Sequence, residues 1–339
     1  MRPMAKEPNH SIPFAYQLIA GIIVLVGMFL IAMVLGAAEV TIKDVWLALA
    51  SDVSDERLSI IREIRLPREI AAIFVGVALG VSGAIMQGIT RNPLADPGLL
   101  GVTAGANAAL AITIAFLPKA TTLQIMLACF LGAAMGALMV FGIGALKKGG
   151  FSPFRIVLAG AAVSAFLVAV AEGIGITFEI SKDISMWTAG GLIGTTWSQL
   201  HVIMPVIAAG FLLSLFFSRQ LTILSLSEEV AIGLGQKTTT VKAILFLVMI
   251  LLAGASVALV GNMAFLGLIV PHLVRAIVGT DYRFILPMSA IAGAANMLAA
   301  DTIGRTINSP YETPVVAVVA MMGLPFFLFI VQKGGRGFS

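Results

Sequence analysis

The sequence predicts an all-α integral membrane protein with about ten spanning helices in a single domain, residues 1–339, and three observations predict it. Charged residues make up only 11% of the chain and hydrophobic ones 59%. The mean hydropathy is +1.04. A soluble domain carries roughly 25% charged residues because its surface faces water, so here the bilayer is the solvent. Apolar runs of about 20 residues, the length a hydrocarbon core of about 30 Å requires, recur between short polar connections. The chain has no internal sequence repeat, no low-complexity tract and no linker long enough to join a second domain.

The first span is expected at about 16–38. Its uninterrupted run from Leu18 to Ala38 exceeds the roughly 7–15 residues of a secretory signal's apolar core, so it reads as a retained helix despite Arg2 and Lys6 ahead of it. A polar segment at about 39–65 is too charged for lipid and is expected outside the cell. Spans two and three are expected at about 69–89 and 98–117, on either side of TRNPLADPG. The fourth and fifth fall at about 121–146 and 154–177, separated by Lys147, Lys148 and two glycines. The sixth and seventh, at about 198–218 and 241–260, enclose a more polar loop over about 219–240. The eighth, about 263–278, is short and is expected to be broken by Pro271. The last two lie at about 284–303 and 314–332.

Ten spans put both termini on one side. With that side cytoplasmic, 13 of the 21 Lys and Arg face the cytoplasm, as the positive-inside bias requires. This bias also explains the net charge of +4, which therefore does not point to nucleic acid. Arg57, Arg62, Arg65 and Arg68 oppose the bias from the outer side, so a local reason for them is expected. Cys129, the only cysteine, lies in an apolar run and has no partner for a disulfide. Three GxxxG spacings, Gly76/Gly80, Gly101/Gly105 and Gly132/Gly136, are expected to let helix backbones approach closely within the chain.

Several chemistries are excluded. A Walker A loop needs GxxxxGK[ST], and the nearest stretch, Gly233-Leu-Gly235-Gln-Lys-Thr, lacks its spacing, so the chain has no ATP site of its own. His10, His201 and His272 are scattered, without metal-ligand spacing, and neither a metal nor a cofactor is expected. No GxSxG motif occurs. Glu172 and Asp301 lie within spans, and an intramembrane acid is a functional candidate by default. They keep open the alternative of a stand-alone, ion-coupled secondary transporter or channel.

Two polar connections carry structure of their own. In TRNPLADPG, Pro93 and Pro97 disfavour helix, while Asn92 and Asp96 can satisfy turn amides. With Gly98, these residues are expected to form a rigid cytoplasmic turn near an inner gate. In LSLSEEVAIGLGQK, Ser227 can cap a short helix whose first turn holds Glu228 and Glu229. Gly233 or Gly235 can end that helix.

The segment from Ile64 to Ala106, beginning IRLPREIAAIFVGVALG, resembles the FecCD-type permeases, membrane subunits of ABC importers for iron siderophores, haem and vitamin B12. Further similar stretches follow in order: VLAGAAVSA, MWTAGGLIGTTW, FLGLIVPHLVR, ADTIGR and ETPVVAVVAMMGLPFFLFIV. The resemblance implies a type II ABC importer permease bundle in a bacterial-type cell membrane, paired with a second permease, identical or paralogous. It also implies two cytoplasmic ATPase subunits and an external substrate-binding protein. By position, Arg65, Arg68 and Arg305 are implied as docking residues for acidic groups of the binding protein. Glu229, Ala231, Leu234 and Gly235 are implied as the face of a coupling helix seated on the ATPase. An iron siderophore is the expected substrate, with haem and vitamin B12 left open.

Overall fold

The structure, a computed structural model, describes residues 13–36, 40–51, 55–145, 153–189, 191–263, 265–309 and 311–334. Both extreme termini, expected on the cytoplasmic side, lie outside the described residues, as do Lys147 and Lys148. Among the described residues every regular element is helical. The outer elements come first: α1 (Phe14–Val34), then the short α2 (Ile42–Ala50) and α3 (Glu56–Ile60). A π-helical turn, Ile61–Arg65, runs from α3 into α4 (Leu66–Thr90). After a 3-10 turn at Pro97–Leu100 come α5 (Val102–Phe116), α6 (Thr122–Ala145), α7 (Pro153–Thr177) and α8 (Ser181–Ala189). The second half holds α9 (Trp197–Phe216), α10 (Ser218–Leu226), α11 (Glu228–Gly233), α12 (Thr238–Val260), α13 (Leu266–Val278), α14 (Tyr282–Thr306) and α15 (Val315–Gly334).

Seven of these helices are long and apolar enough to cross a membrane. The third, eighth and tenth expected spans fall on shorter apolar helices, Val102–Phe116, Leu266–Val278 and Val315–Leu328. A count of ten therefore depends on these three crossing as well. At about 1.5 Å per residue α13 is only about 20 Å long. Its first half, Leu266–Pro271, is buried, while Leu273 and Ile277 toward its end are exposed. Pro271 does not break it, contrary to expectation: α13 runs through the proline without interruption. Helix α4 packs closely against this stretch. Gln87 Nε2 donates to Leu268 O at 3.1 Å, and the Gly267 carbonyl, deprived of its usual donor, rests against Gly83.

Within the polar segment at about 39–65, residues 42–50 and 56–65 are helical, more structure than its charge predicts. Thr41 and Asp44 form a capping box that starts α2. Helix α8, between the fifth and sixth spans, is absent from the hydropathy pattern because it buries none of its residues.

Helix α4 is the axis of the bundle. It packs along α14, α12, α13 and α9, and its buried face is dominated by Gly and Ala. A Cβ added at Gly76 would collide with the Gly293 carbonyl, and one at Gly293 with the Gly76 carbonyl. Gly80 meets Ser289 O in the same way. The other two GxxxG pairs face each other: Gly105 abuts Gly132 and Gly101 abuts Gly136, joining α5 to α6. Helix α12 closes the core between the two groups and touches α4, α6, α9 and α5. Cys129 is buried within α6.

These contacts give a test by substitution. Gly76→Ala or Gly105→Ala should lower the thermal midpoint of the purified chain, as overpacking of about 1–3 kcal/mol does. Gly27→Ala, at a glycine with nothing within 4 Å of the added methyl, should leave the midpoint unchanged or raise it. Equal midpoints for all three would remove close backbone approach as the basis of packing.

Candidate functional site

Three groups of residues carry the candidate chemistry, and the first is a closed network of charges. Arg65, Arg68 and Glu69 sit at the start of α4, and Asp301 and Arg305 near the end of α14. The Gly76–Gly293 contact brings these two helix ends together. Arg68 Nη2 donates to Asp301 Oδ1 at 2.9 Å, and its Nη1 to Glu312 Oε1 at 2.9 Å. Arg305 Nη2 donates to Glu69 Oε1 and, at 3.1 Å, to Ala32 O, and Arg305 Nε lies 3.0 Å from Asp301 Oδ2. Arg65 Nη1 donates to the Met33 and Val34 carbonyls at 2.7 and 3.1 Å, the last turn of α1.

Glu69 and Asp301 are 0% exposed, Arg65 5% and Arg305 6%. Two buried carboxylates and the arginines beside them therefore offset one another in a low-dielectric setting, where an unpaired charge is costly. The arginines expected to present themselves to a partner are thus turned inward. Arg68, with 12% of its side chain accessible, and Glu312, with 36%, are the members nearest the surface. Asp301, weighed above as an ion-coupling acid, has its oxygens taken by Arg68 and Arg305. Glu69 and Glu312, which by sequence are neighbouring carboxylates these arginines could cap, are both members of the network, whereas no ion pair of Glu63 occurs among the described residues.

The second group is the loop between α9 and α12. Ser227 caps α11 as expected, its Oγ accepting from Val230 N at 3.1 Å. Gly235, at φ 76°, ends the turn, and its N–H donates to Ile232 O at 2.8 Å. The Glu229 carboxyl is held below the usual range by its own backbone amide and by Ser227. Lys242 Nζ pairs with Glu228 Oε1 at 2.7 Å and fastens α11 to α12. Glu229, Leu234 and Gly235 are exposed, but Ala231, expected on the same outward face, is 0% exposed and packs into the core. A helix of six residues has one inner position per turn, and Ala231 occupies it. The outer surface is instead apolar: Leu226 and Leu234 are each 66% exposed, Ile232 60% and Val230 45%.

The third group surrounds the turn after α4. Asn92 Oδ1 accepts from Leu94 N at 3.0 Å and Asp96 Oδ1 from Gly98 N at 2.7 Å, while Pro97 opens the 3-10 turn. Burial pushes the Asp96 carboxyl up to about 6, against the opposing Gly98 amide, although a little of its surface stays accessible. This turn adjoins a cavity of about 510 Å3 between α5, α7, α13 and α15, lined by Asp96, Thr103, Asn107, Ser164 and Asn262 among apolar neighbours. Asn107 and Val168 also line a second cavity of about 210 Å3 that reaches Glu172 and the serines of α8. The two spaces share Asn107 and Val168 and carry a few hydrogen-bonding groups on a mainly apolar lining.

A helical bundle of this apolar composition, with hydrogen-bonding groups lining two internal spaces and apolar side chains exposed on one loop, has the architecture of a transporter's membrane subunit. The model of the FecCD transport family matches residues 23–333, and the chain belongs to that family. It is 44% identical over 322 residues to the iron(3+)-hydroxamate import system permease protein FhuB of Bacillus subtilis, covering 94% of this chain and 84% of that one. It is 37% identical over 309 residues to the ferric enterobactin transport system permease protein FepD of Escherichia coli, covering 91% and 92%. It is 37% identical over 308 residues to the hemin transport system permease protein HmuU of Yersinia pestis, covering 88% and 90%. A metal-chelate type ABC transporter solved in an inward-facing conformation superposes with a TM-score of 0.84 at 25% identity, over 94% of this chain and 99% of that one. The chain is accordingly a multi-pass permease subunit of an ABC importer, and ATP hydrolysis belongs to its partner subunits.

The charge network makes a quantitative expectation. Arg305→Met strands Glu69 without its partner, and breaking a buried pair in this way costs about 3–5 kcal/mol. Glu312→Gln, at the accessible edge, should change stability by less than about 1 kcal/mol. Thermal unfolding of the two purified variants measures the difference. An Arg305→Met chain as stable as Glu312→Gln would show that the network is not holding α1, α4 and α14 together.

Proposed function

We propose that this chain and a second permease, identical or paralogous, form the path of a bacterial cell-membrane importer whose substrates are ferric siderophores of the hydroxamate type. The observation that carries this reading is the set of polar groups lining this shared space. Asn107, Thr103, Ser164 and Asn262 offer amides and hydroxyls, Asp96 and Glu172 are its charged groups, and among the described residues no cation lines it. Hydroxamate groups are monoanions that together neutralise the ferric ion they wrap. Citrate and catecholate chelates keep net negative charge, which carboxylates along a confined path repel. Uncharged hydrogen-bonding groups hold a neutral chelate only weakly, so it can also leave. The similarity to a relative named for iron(3+)-hydroxamate import supports the same choice.

In this reading one of two ATPase subunits docks on α11 and the other on the second permease, both termini are cytoplasmic, and the turn at Asn92, Pro93, Asp96, Pro97 and Gly98 borders the inner gate. Four apolar side chains standing clear of a loop outside the spans support the first point, since such patches mark partner surfaces. The face bearing Arg65, Arg68 and Arg305 receives the binding protein. Arg68, shared between Asp301 and the accessible Glu312, is the fork able to exchange an internal carboxylate for an incoming one. Buried Arg65 and Arg305 hold its platform.

Uptake by proteoliposomes containing the assembled transporter and its binding protein tests the substrate. ATP-driven uptake of a ferric trihydroxamate should exceed that of ferric citrate or haemin by about tenfold or more, a difference of roughly 1.4 kcal/mol. Faster citrate or haemin uptake would reject the hydroxamate reading, and uptake without ATP would favour a stand-alone carrier. For the coupling surface, Leu234→Asp should leave the permease folded while substrate-stimulated ATP hydrolysis falls about tenfold, the loss of roughly 1.4 kcal/mol of contact. Normal stimulation in that variant would reduce α11 to a simple connection.

A further inference from the structure

A cavity of about 500 Å3 opens at the ends of α4 and α14 opposite the charge network, between α4, α10, α13 and α14. Two guanidinium groups line it. Arg91 closes α4 in the left-handed region at φ 53°, and Arg275 comes from the last turn of α13. Arg275 Nη2 donates to Tyr282 Oη at 2.8 Å, and its other nitrogens have no acceptor among the described residues. Arg91 forms no ion pair within 4 Å among them. Glu229 is close enough to feel the Arg91 charge but does not line the cavity. Asp281, behind the wall, is committed to Arg283 and to the Thr222 hydroxyl. Among the described residues no carboxylate lines this space.

Gln87 supplies an independent observation. It is 2% exposed and lines the same cavity; its Nε2 is used by Leu268 O, while its Oε1 has no donor. Two guanidinium groups without carboxylates call for an anion, and a buried, orphaned amide oxygen calls for a hydrogen-bond donor. A phosphate ester carrying hydroxyl groups meets both demands.

The setting narrows the source. The cavity lies at the ends of α4 and α14, two helices long and apolar enough to span, at the level where headgroups of one leaflet sit. Beside Arg275 and His272 on α13, Leu273 and Ile277 are 44% and 51% exposed and one turn apart, which gives an acyl chain a surface to follow. We propose that this cavity binds the headgroup of an anionic phospholipid bearing free hydroxyls. Arg91 and Arg275 take the phosphate, and Gln87 Oε1 accepts from a headgroup hydroxyl. Helix α10 forms one wall through Thr222, Ser225 and Leu226 and leads directly into α11. A bound headgroup thus braces the segment that presents the docking surface. The inference is independent of the imported substrate.

The full chain, purified and delipidated in detergent, provides the test by native mass spectrometry and thermal unfolding. The added probes are phosphatidylglycerol, phosphatidylcholine with the same acyl chains, phosphatidylethanol and inorganic phosphate. Phosphatidylglycerol should be retained about tenfold over phosphatidylcholine, and Arg275→Gln or Arg91→Asn should abolish most of that preference. Asn is chosen at position 91 because it tolerates the left-handed backbone. Gln87→Met should erase the advantage of phosphatidylglycerol over phosphatidylethanol, which has the charge without the hydroxyls. Arg219→Gln, an α10 cation outside the cavity, should change nothing. Inorganic phosphate that stabilises the lipid-free chain and displaces phosphatidylglycerol would overturn the lipid assignment in favour of a soluble phosphate. Equal retention of all three lipids, or a preference that survives the Arg91→Asn/Arg275→Gln double variant, would overturn the site altogether.

Discussion

A bilayer offers neither water to satisfy a backbone nor much gain for hiding one apolar helix behind another. Everything in this chain follows from how α4 answers that constraint. Gly76, Gly80 and Gly83 let α4 lie directly on the backbones of α14 and α13, so contact is made by main-chain atoms rather than by interlocking side chains. Helices held this closely have fixed ends, and the ends are where the polar groups are. Arg68 and Glu69 meet Asp301 and Arg305 at one end of the α4–α14 pair, while Gln87 and Arg91 meet Arg275 and Tyr282 at the other. The polar sites are consequences of an apolar crossing.

The charge network illustrates how such a crossing can carry ionised groups. Neither Glu69 nor Asp301 has exposed surface, and neither could remain ionised alone without a large desolvation cost. Each is paired with an arginine, and the spare donors of Arg65 and Arg305 reach backbone carbonyls at the end of α1. Those carbonyls are among the orphans that every helix C-terminus leaves. The arginines thus serve a helix end and pair with two acids together, with Glu69 Oε2 left without a donor among the described residues. This supplies a local reason for the basic residues clustered at this end of α4 and α14.

Much of this was legible in the sequence. Hydropathy placed the apolar helices to within a few residues, because a run of apolar residues has one use in lipid. The Ser227 cap and the Asn92 and Asp96 turns were readable because their hydrogen bonds are local, spanning two or three residues. What was hidden is long-range or one-sided. The partners of Arg68 and Arg305 lie more than 230 positions away in sequence, and no local rule pairs them. Ala231 was misplaced because alanine fits either face of a short helix, and only the packing against it decides. Pro271 reads as a helix breaker, yet here its freed carbonyl lies on a glycine of the next helix.

The Gly76–Gly293 contact has a consequence for how such a chain can change over generations. Both residues already have the smallest side chain available, so neither can shrink to make room for growth in the other. Elsewhere in a core, a larger residue can be admitted by a smaller neighbour, and lineages drift through such paired exchanges. At this crossing the exchange has no first step. Every single replacement adds atoms where a carbonyl already lies, and no compensating replacement exists across the interface. Sequence change is therefore diverted outward, to surfaces such as the lipid-facing side of α1, while the crossing can be escaped only by moving the helices apart.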